Sequence, residues 1–226
     1  ENNEVVISTS DMSEKDWIDA NVFVAVTGAF HNLGLLQYFA IYLYNEKNVN
    51  YTDFYLMLIK RFISDPDTVV GKILLLLGEK LQAVVEGTGV CETFLEEFGN
   101  VNWPVEEWVF LQVILEFERF FNEIYSFLSS FGIEEEVLED LYIYQKNCIK
   151  RPFVKEFDFR TRYNFADYFN SVYNGKKTCL ERKKLLFKVN DTNCKDDNKD
   201  YAREIVWYGR KGGRITYKEE MTVFAD

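Results

Sequence analysis

The sequence predicts a mainly α protein: a helical domain over residues 1–152 followed by a small basic α/β appendage over 153–226. Three observations predict it. In 226 residues there are only three Pro and twelve Gly, too little punctuation for many short strands, while twenty Phe, fourteen Tyr and four Trp supply bulky anchors for a large core. Apolar residues recur at three- and four-residue steps before Pro152, whereas short runs beyond it alternate. The charge also changes sign near that point. Residues 1–140 hold 25 Asp/Glu against 7 Lys/Arg, a net of −18, and residues 141–226 hold 12 against 19, a net of +7. Such an asymmetry is expected where a basic tail folds back on an acidic body, or where the two halves meet different partners.

The elements follow in order. "EVVISTS" is a short β-rich run. In "DMSEKDW", Ser13 is placed to cap a helix and Asp16, three residues on, to close a capping box, so a helix starts at about Glu14. It runs toward Tyr44, with a break expected at Gly28 and Gly34. "NYTDFYLMLIKRF" is a second helix with Thr52 as its expected cap. "DPDTVVGKILLLLGEKLQAVVEG" is a third, with Pro66 near its first turn and Gly87 past its end.

"NWPVEEWVFLQVILEFERFFNEIYSFLSSFG" has the strongest periodicity. Phe110, Ile114, Phe117, Phe121, Ile124 and Leu128 mark its core face, and Gln112, Glu116, Arg119, Glu123 and Ser126 its wet face. "IEEEVLEDLYIYQKNCIKRP" places Glu134, Glu135 and Glu136 in a first turn and Lys150 and Arg151 in a last turn, as the helix dipole favours, before Pro152 stops it. Five or six helices are expected before Pro152. Beyond it "VKEFDFR" and "KKLLFKV" alternate like strands, "NFADYFNSVYNG" reads as a short helix, and "NDTNCKDDNKD" as a polar loop.

The chemistry-bearing residues are few. Cys91, Cys148, Cys179 and Cys194 are too far apart for a zinc knuckle or a redox pair and are read as free thiols in a reducing cytoplasm. The apolar run Val22–Leu43 is interrupted by Thr27, His31, Asn32 and Gln37 and lacks flanking Lys/Arg clusters. It reads as a buried core helix, with no membrane partner. His31 is the one histidine, so a triad, a histidine pair or a facial metal site lacks its second imidazole. Neither a catalytic residue, a cofactor ligand nor a metal ligand is assigned.

The loop "WYGRKGGR" matches neither the Walker pattern nor the dinucleotide fingerprint. Gly209 is expected to end the helix of "DYAREIVW" in a left-handed cap. Arg210, Lys211 and Arg214 crowd this short loop, and together with His31 they are the candidate anion or partner contacts. The aromatic and basic interleaving of "KEFDFRTRYNFADYF" suits stacking on bases. It suits core aromatics on a small sheet better, so nucleic acid is not the expected partner.

"STSDMSEKDWIDANVFVAVTGAFHNLGLLQYFAIYL", "LEDLYIYQKNCIKRP" and "DYAREIVWYGRKGGR" resemble segments near the C-terminus of cobalamin-binding radical SAM proteins of anaerobic bacteria. In that family a helical domain follows a catalytic barrel. The resemblance implies a parent enzyme with a cobalamin domain, a 4Fe-4S cluster held by CxxxCxxC and S-adenosylmethionine as co-substrate, of the methyltransferase kind. This chain has neither CxxxCxxC nor the DxHxxG cobalamin motif, so it carries over none of those residues and is itself expected to hold no cofactor. The resemblance implies a non-catalytic C-terminal accessory domain that covers or selects substrate. Its partner is then the radical SAM barrel of the same parent chain, and residues 1–10 are the end of that barrel. The start at Glu1 rather than Met fits that expectation. The alternative is a stand-alone helical module that docks a protein or nucleic-acid partner.

Overall fold

The computed structural model describes residues 5–89, 91–207, 213–215 and 220–225. The side chains of residues 205 and 207 lie outside that description. Among the described residues seven α-helices precede Pro152: α1 (Glu14–Thr27), α2 (Gln37–Lys47), α3 (Tyr51–Phe62), α4 (Val69–Val85), α5 (Val105–Leu115), α6 (Phe117–Leu128) and α7 (Glu135–Asn147). After it come β1 (Glu156–Tyr163), α8 (Phe165–Tyr173), β2 (Arg182–Asn190), α9 (Asn198–Tyr201) and β3 (Met221–Ala225). The architecture is mainly α with a small three-stranded antiparallel sheet, in strand order β1-β2-β3.

The count of seven arises because two expected helices each divide. The first begins as expected, with the reciprocal Ser13–Asp16 capping box in place. Its α-helix passes into a π turn at Gly28–Asn32 and then breaks, so that α2 leaves at 89°. Gly34 supplies the turn, since its φ of +97° lies where a Cβ is disfavoured. Among the described residues no single helix is long and apolar enough to cross a membrane.

The second division falls at Glu116, whose φ and ψ of −116° and 34° leave the helical region. It separates two different environments. Between Glu107 and Ile114, α5 is buried on nearly every side, whereas α6 keeps one polar edge. That edge is not simply wet. Glu123 accepts the first backbone N–H of α4, from Val69, at 2.7 Å, and Arg119 binds Glu116, Glu123 and the Asp67 carbonyl.

Other expectations need local correction. Asn50, not Thr52, caps α3, because only Asn50 stands three residues before the Asp53 N–H that its side chain accepts, at 2.8 Å. Thr68 caps α4, leaving Pro66 in the preceding turn. Gly87 follows the end of α4 with φ +65°, as a glycine there should. Residues 5–9 adopt no regular structure, so the run read as β-rich pairs with no described strand. Helix α7 ends at Asn147, before Lys150 and Arg151, which therefore do not serve its last turn.

The sheet packs against α7. Tyr144 sits among Tyr38, Phe159, Phe165, Phe169 and Phe187, with ring centroids 5.1 to 6.3 Å apart, so one apolar core runs from the helices into the sheet. The aromatics of "KEFDFRTRYNFADYF" are core residues: Phe159, Tyr163, Phe165, Tyr168 and Phe169 are all buried. The acidic turn of α7 takes the basic tail. Arg162 meets Glu136, Glu139 and Asp140, and Arg182 meets Glu136 at 2.9 Å.

Candidate functional site

The bend between α1 and α2 gathers the polar residues that interrupt an otherwise apolar stretch. Gln145 of α7, fully buried, secures it from below. Its Oε1 accepts the Tyr38 N–H at 2.8 Å and its Nε2 donates to the Gly34 carbonyl at 2.9 Å. Both ends of the buried amide are thereby satisfied, which is the condition for placing one in a core.

Arg214 arrives from the C-terminal segment. Its backbone is held at the exit of α7 by the bridge between Ile149 and Arg214, by Lys150 N–H to the Gly213 carbonyl at 2.7 Å, and by Ile215 N–H to the Cys148 carbonyl at 2.8 Å. The side chain then crosses Gly34 so closely that a Cβ there would lie 2.2 Å from Arg214 Cδ. Its Nη1 donates to Gln37 Oε1, the first residue of α2, and that oxygen also accepts the Tyr173 hydroxyl at 2.8 Å.

His31 lies on the same bend, half-buried, with Nδ1 3.1 Å from the Tyr55 hydroxyl and its ring edge-on to Tyr55 and tilted against Tyr51. Burial first, and then the positive charge of Arg214, hold the imidazole below its ordinary pKa. Tyr51 stacks on Tyr44 at 4.9 Å, and both rings are exposed. Burial pushes the Tyr55 and Tyr173 hydroxyls up, so they remain protonated donors at neutral pH.

Two of the four candidate contacts, His31 and Arg214, are thus brought into one cluster from opposite ends of the chain. Arg210 and Lys211 lie outside the described residues, as does the cap expected at Gly209. Sequence reasoning missed Gln37, Tyr55 and Tyr173 as members. Gln37 alone left a signal, as a polar interruption in the apolar run.

A second polar cluster lies beneath the sheet. Lys150 Nζ is 3.3 Å from Asp191 and 2.5 Å from Glu220, with all three side chains buried. Tyr201 Oη donates to the Lys150 carbonyl at 2.9 Å. This arrangement joins the α7 exit, the end of β2 and the start of β3.

The four cysteines stand in different settings. Cys148 is buried against Tyr144, with its thiol pushed up to about 12 by burial, Cys179 is exposed, and Cys91 and Cys194 are half-buried. Among the described residues no group of three or more His, Cys, Asp or Glu side chains is placed to hold a metal ion.

No family model matches the chain. Two curated relatives do. One is a 2-(S-pantetheinyl)-carbapenam-3-carboxylate methyltransferase from Streptantibioticus cattleyicolor, and the other is the cobalamin-dependent radical SAM methyltransferase TokK from Streptomyces tokunonensis. Each is 26% identical over 66% of this chain. The chain spans 24% of the length of either relative. The similarity supports a relationship to cobalamin-dependent radical SAM methyltransferases.

Proposed function

We propose that this chain is the non-catalytic C-terminal helical domain of a cobalamin-dependent radical SAM enzyme, and that it covers or selects the substrate. The observation that carries this is the similarity to two methyltransferases of which the chain spans only 24%, so that the greater part of such an enzyme has no counterpart here. In this reading residues 1–152 are the helical domain and 153–226 the basic appendage. The domain packs on the radical SAM barrel of the same parent chain. The 4Fe-4S cluster, S-adenosylmethionine and cobalamin belong to that parent. A cover has a physical purpose, because a carbon radical must be kept from water and from stray hydrogen donors.

The test is anaerobic reconstitution of the parent protein with iron, sulfide, cobalamin and S-adenosylmethionine, with and without residues 14–226. The expected result is that the shortened parent keeps its cluster absorbance and cleaves S-adenosylmethionine without methylating substrate. The separate chain takes up neither cluster nor cobalamin. A stoichiometric 4Fe-4S spectrum on the separate chain, or full methylation by the shortened parent, overturns the reading.

A further inference from the structure

Arg214, like Lys80, differs from the other partly buried cations. Lys150, Arg151, Arg162 and Lys195 each have a carboxylate oxygen within ion-pair distance, at 3.3, 3.7, 2.9 and 2.6 Å. Among the described residues Arg214 has none, although the chain carries 37 Asp and Glu and a net charge of −11. Its contacts are neutral: the Gln37 amide oxygen and the Tyr173 hydroxyl. Among the described residues, burial first and then the charge of Arg214 act on both His31 and Tyr173. A guanidinium offers five N–H donors in a planar fork that matches an oxyanion.

We propose that Arg214, with His31 at the α1–α2 bend, binds the carboxylate of a small organic ligand whose apolar part lies on the rings of Tyr51 and Tyr44, the Tyr173 hydroxyl staying on Gln37. A carboxylate fits better than a phosphate dianion, because Arg214 is the one fixed positive charge in the described cluster and one carboxylate balances it. The stacked rings beside His31 give an apolar body somewhere to lie, at modest conformational cost because they are already paired. The inference rests on the proposed role in covering or selecting substrate, and it names the chemical class that the bend would recognise.

His31 is the chain's only histidine, so its imidazole C2–H gives one NMR signal that reports the charge beside it. The chain is titrated with pH alone, with 3-phenylpropionate, with the neutral 3-phenylpropionamide and with inorganic phosphate. The carboxylate is expected to raise the His31 pKa by about half a unit or more, because a bound anion offsets the Arg214 charge. The amide is expected to leave it unchanged and phosphate to raise it less. In Arg214→Gln the response is lost, and Arg214→Lys, which keeps the charge without the fork, retains only part of it. No response to the carboxylate, an equal response to the amide, or a larger one to phosphate overturns the proposal from the wild-type chain alone, even where a variant does not fold. Because this readout needs no radical chemistry, its failure leaves the proposed function standing, and failure of the parent reconstitution leaves the binding result standing.

Discussion

Asp140 on α7 holds Arg162 on β1 by both main chain and side chain: one carboxylate oxygen accepts the Arg162 backbone N–H, and the other accepts Nε–H at 3.0 Å. The first oxygen also accepts the Tyr163 N–H at 3.2 Å. Asp140 is 2% exposed, so these bonds replace water almost completely. The basic tail is therefore fastened to the acidic body through a buried carboxylate.

Asp140→Ala should lower stability by about 2–4 kcal/mol, because it strands two strand amides at a closed interface, although Arg162 keeps Glu136 and Glu139. Arg182→Gln, which removes an exposed partner of Glu136, should cost less than about 1 kcal/mol. Urea unfolding of both variants measures the difference. Hydrogen exchange of β1 should be nearly unchanged between low and high salt, since screening reaches only the exposed pairs.

Lys150→Met should destabilise the chain by about 3–5 kcal/mol, because it removes the cation that lies between the buried Asp191 and Glu220 carboxylates. Adding Asp191→Asn and Glu220→Gln should recover part of that loss. A mutant cycle read by thermal unfolding checks the coupling, and strictly additive effects would refute the cluster as a unit.

Gly34→Ala should cost more than about 2 kcal/mol, combining left-handed backbone strain with the collision against Arg214. In an Arg214→Ala background the collision disappears and about 1–2 kcal/mol of backbone strain should remain. Equal costs in the two backgrounds would show that the guanidinium stem does not press on the bend.

Thiol labelling at pH 8 should modify Cys179 first, Cys91 and Cys194 more slowly, and Cys148 only when the chain unfolds. Burial pushes Cys148 up to about 12 from an ordinary value near 9, so the folded thiol keeps its proton where the unfolded one has lost it. The Cys148 contribution to stability is accordingly complete below about pH 9 and declines as pH rises toward 12. Cys148→Ala should flatten that part of the alkaline unfolding profile.

What the sequence by itself determined was local. The Ser13–Asp16 box, the alternation of β1 and β2, the helix of "NFADYFNSVYNG" and the three- and four-residue apolar steps depend on neighbours within one turn or one pleat, and each stands as read. Strand β3 was missed because five residues of "MTVFA" hold too few alternations to be distinguished, and only pairing with β2 makes them a strand. The division at Glu116 was illegible for a related reason: the apolar period continues through it, and the break answers to α4, which Glu116, Arg119 and Glu123 together meet. Lys150 and Arg151 read as the basic end of a helix, because the partners that bury Lys150 stand 41 and 70 residues away in sequence. His31 and Arg214 were each marked as candidates, yet nothing local joins residues so far apart. Their meeting was decided by tertiary structure, where an 89° bend, a glycine with positive φ and a buried glutamine set the surroundings of both side chains at once.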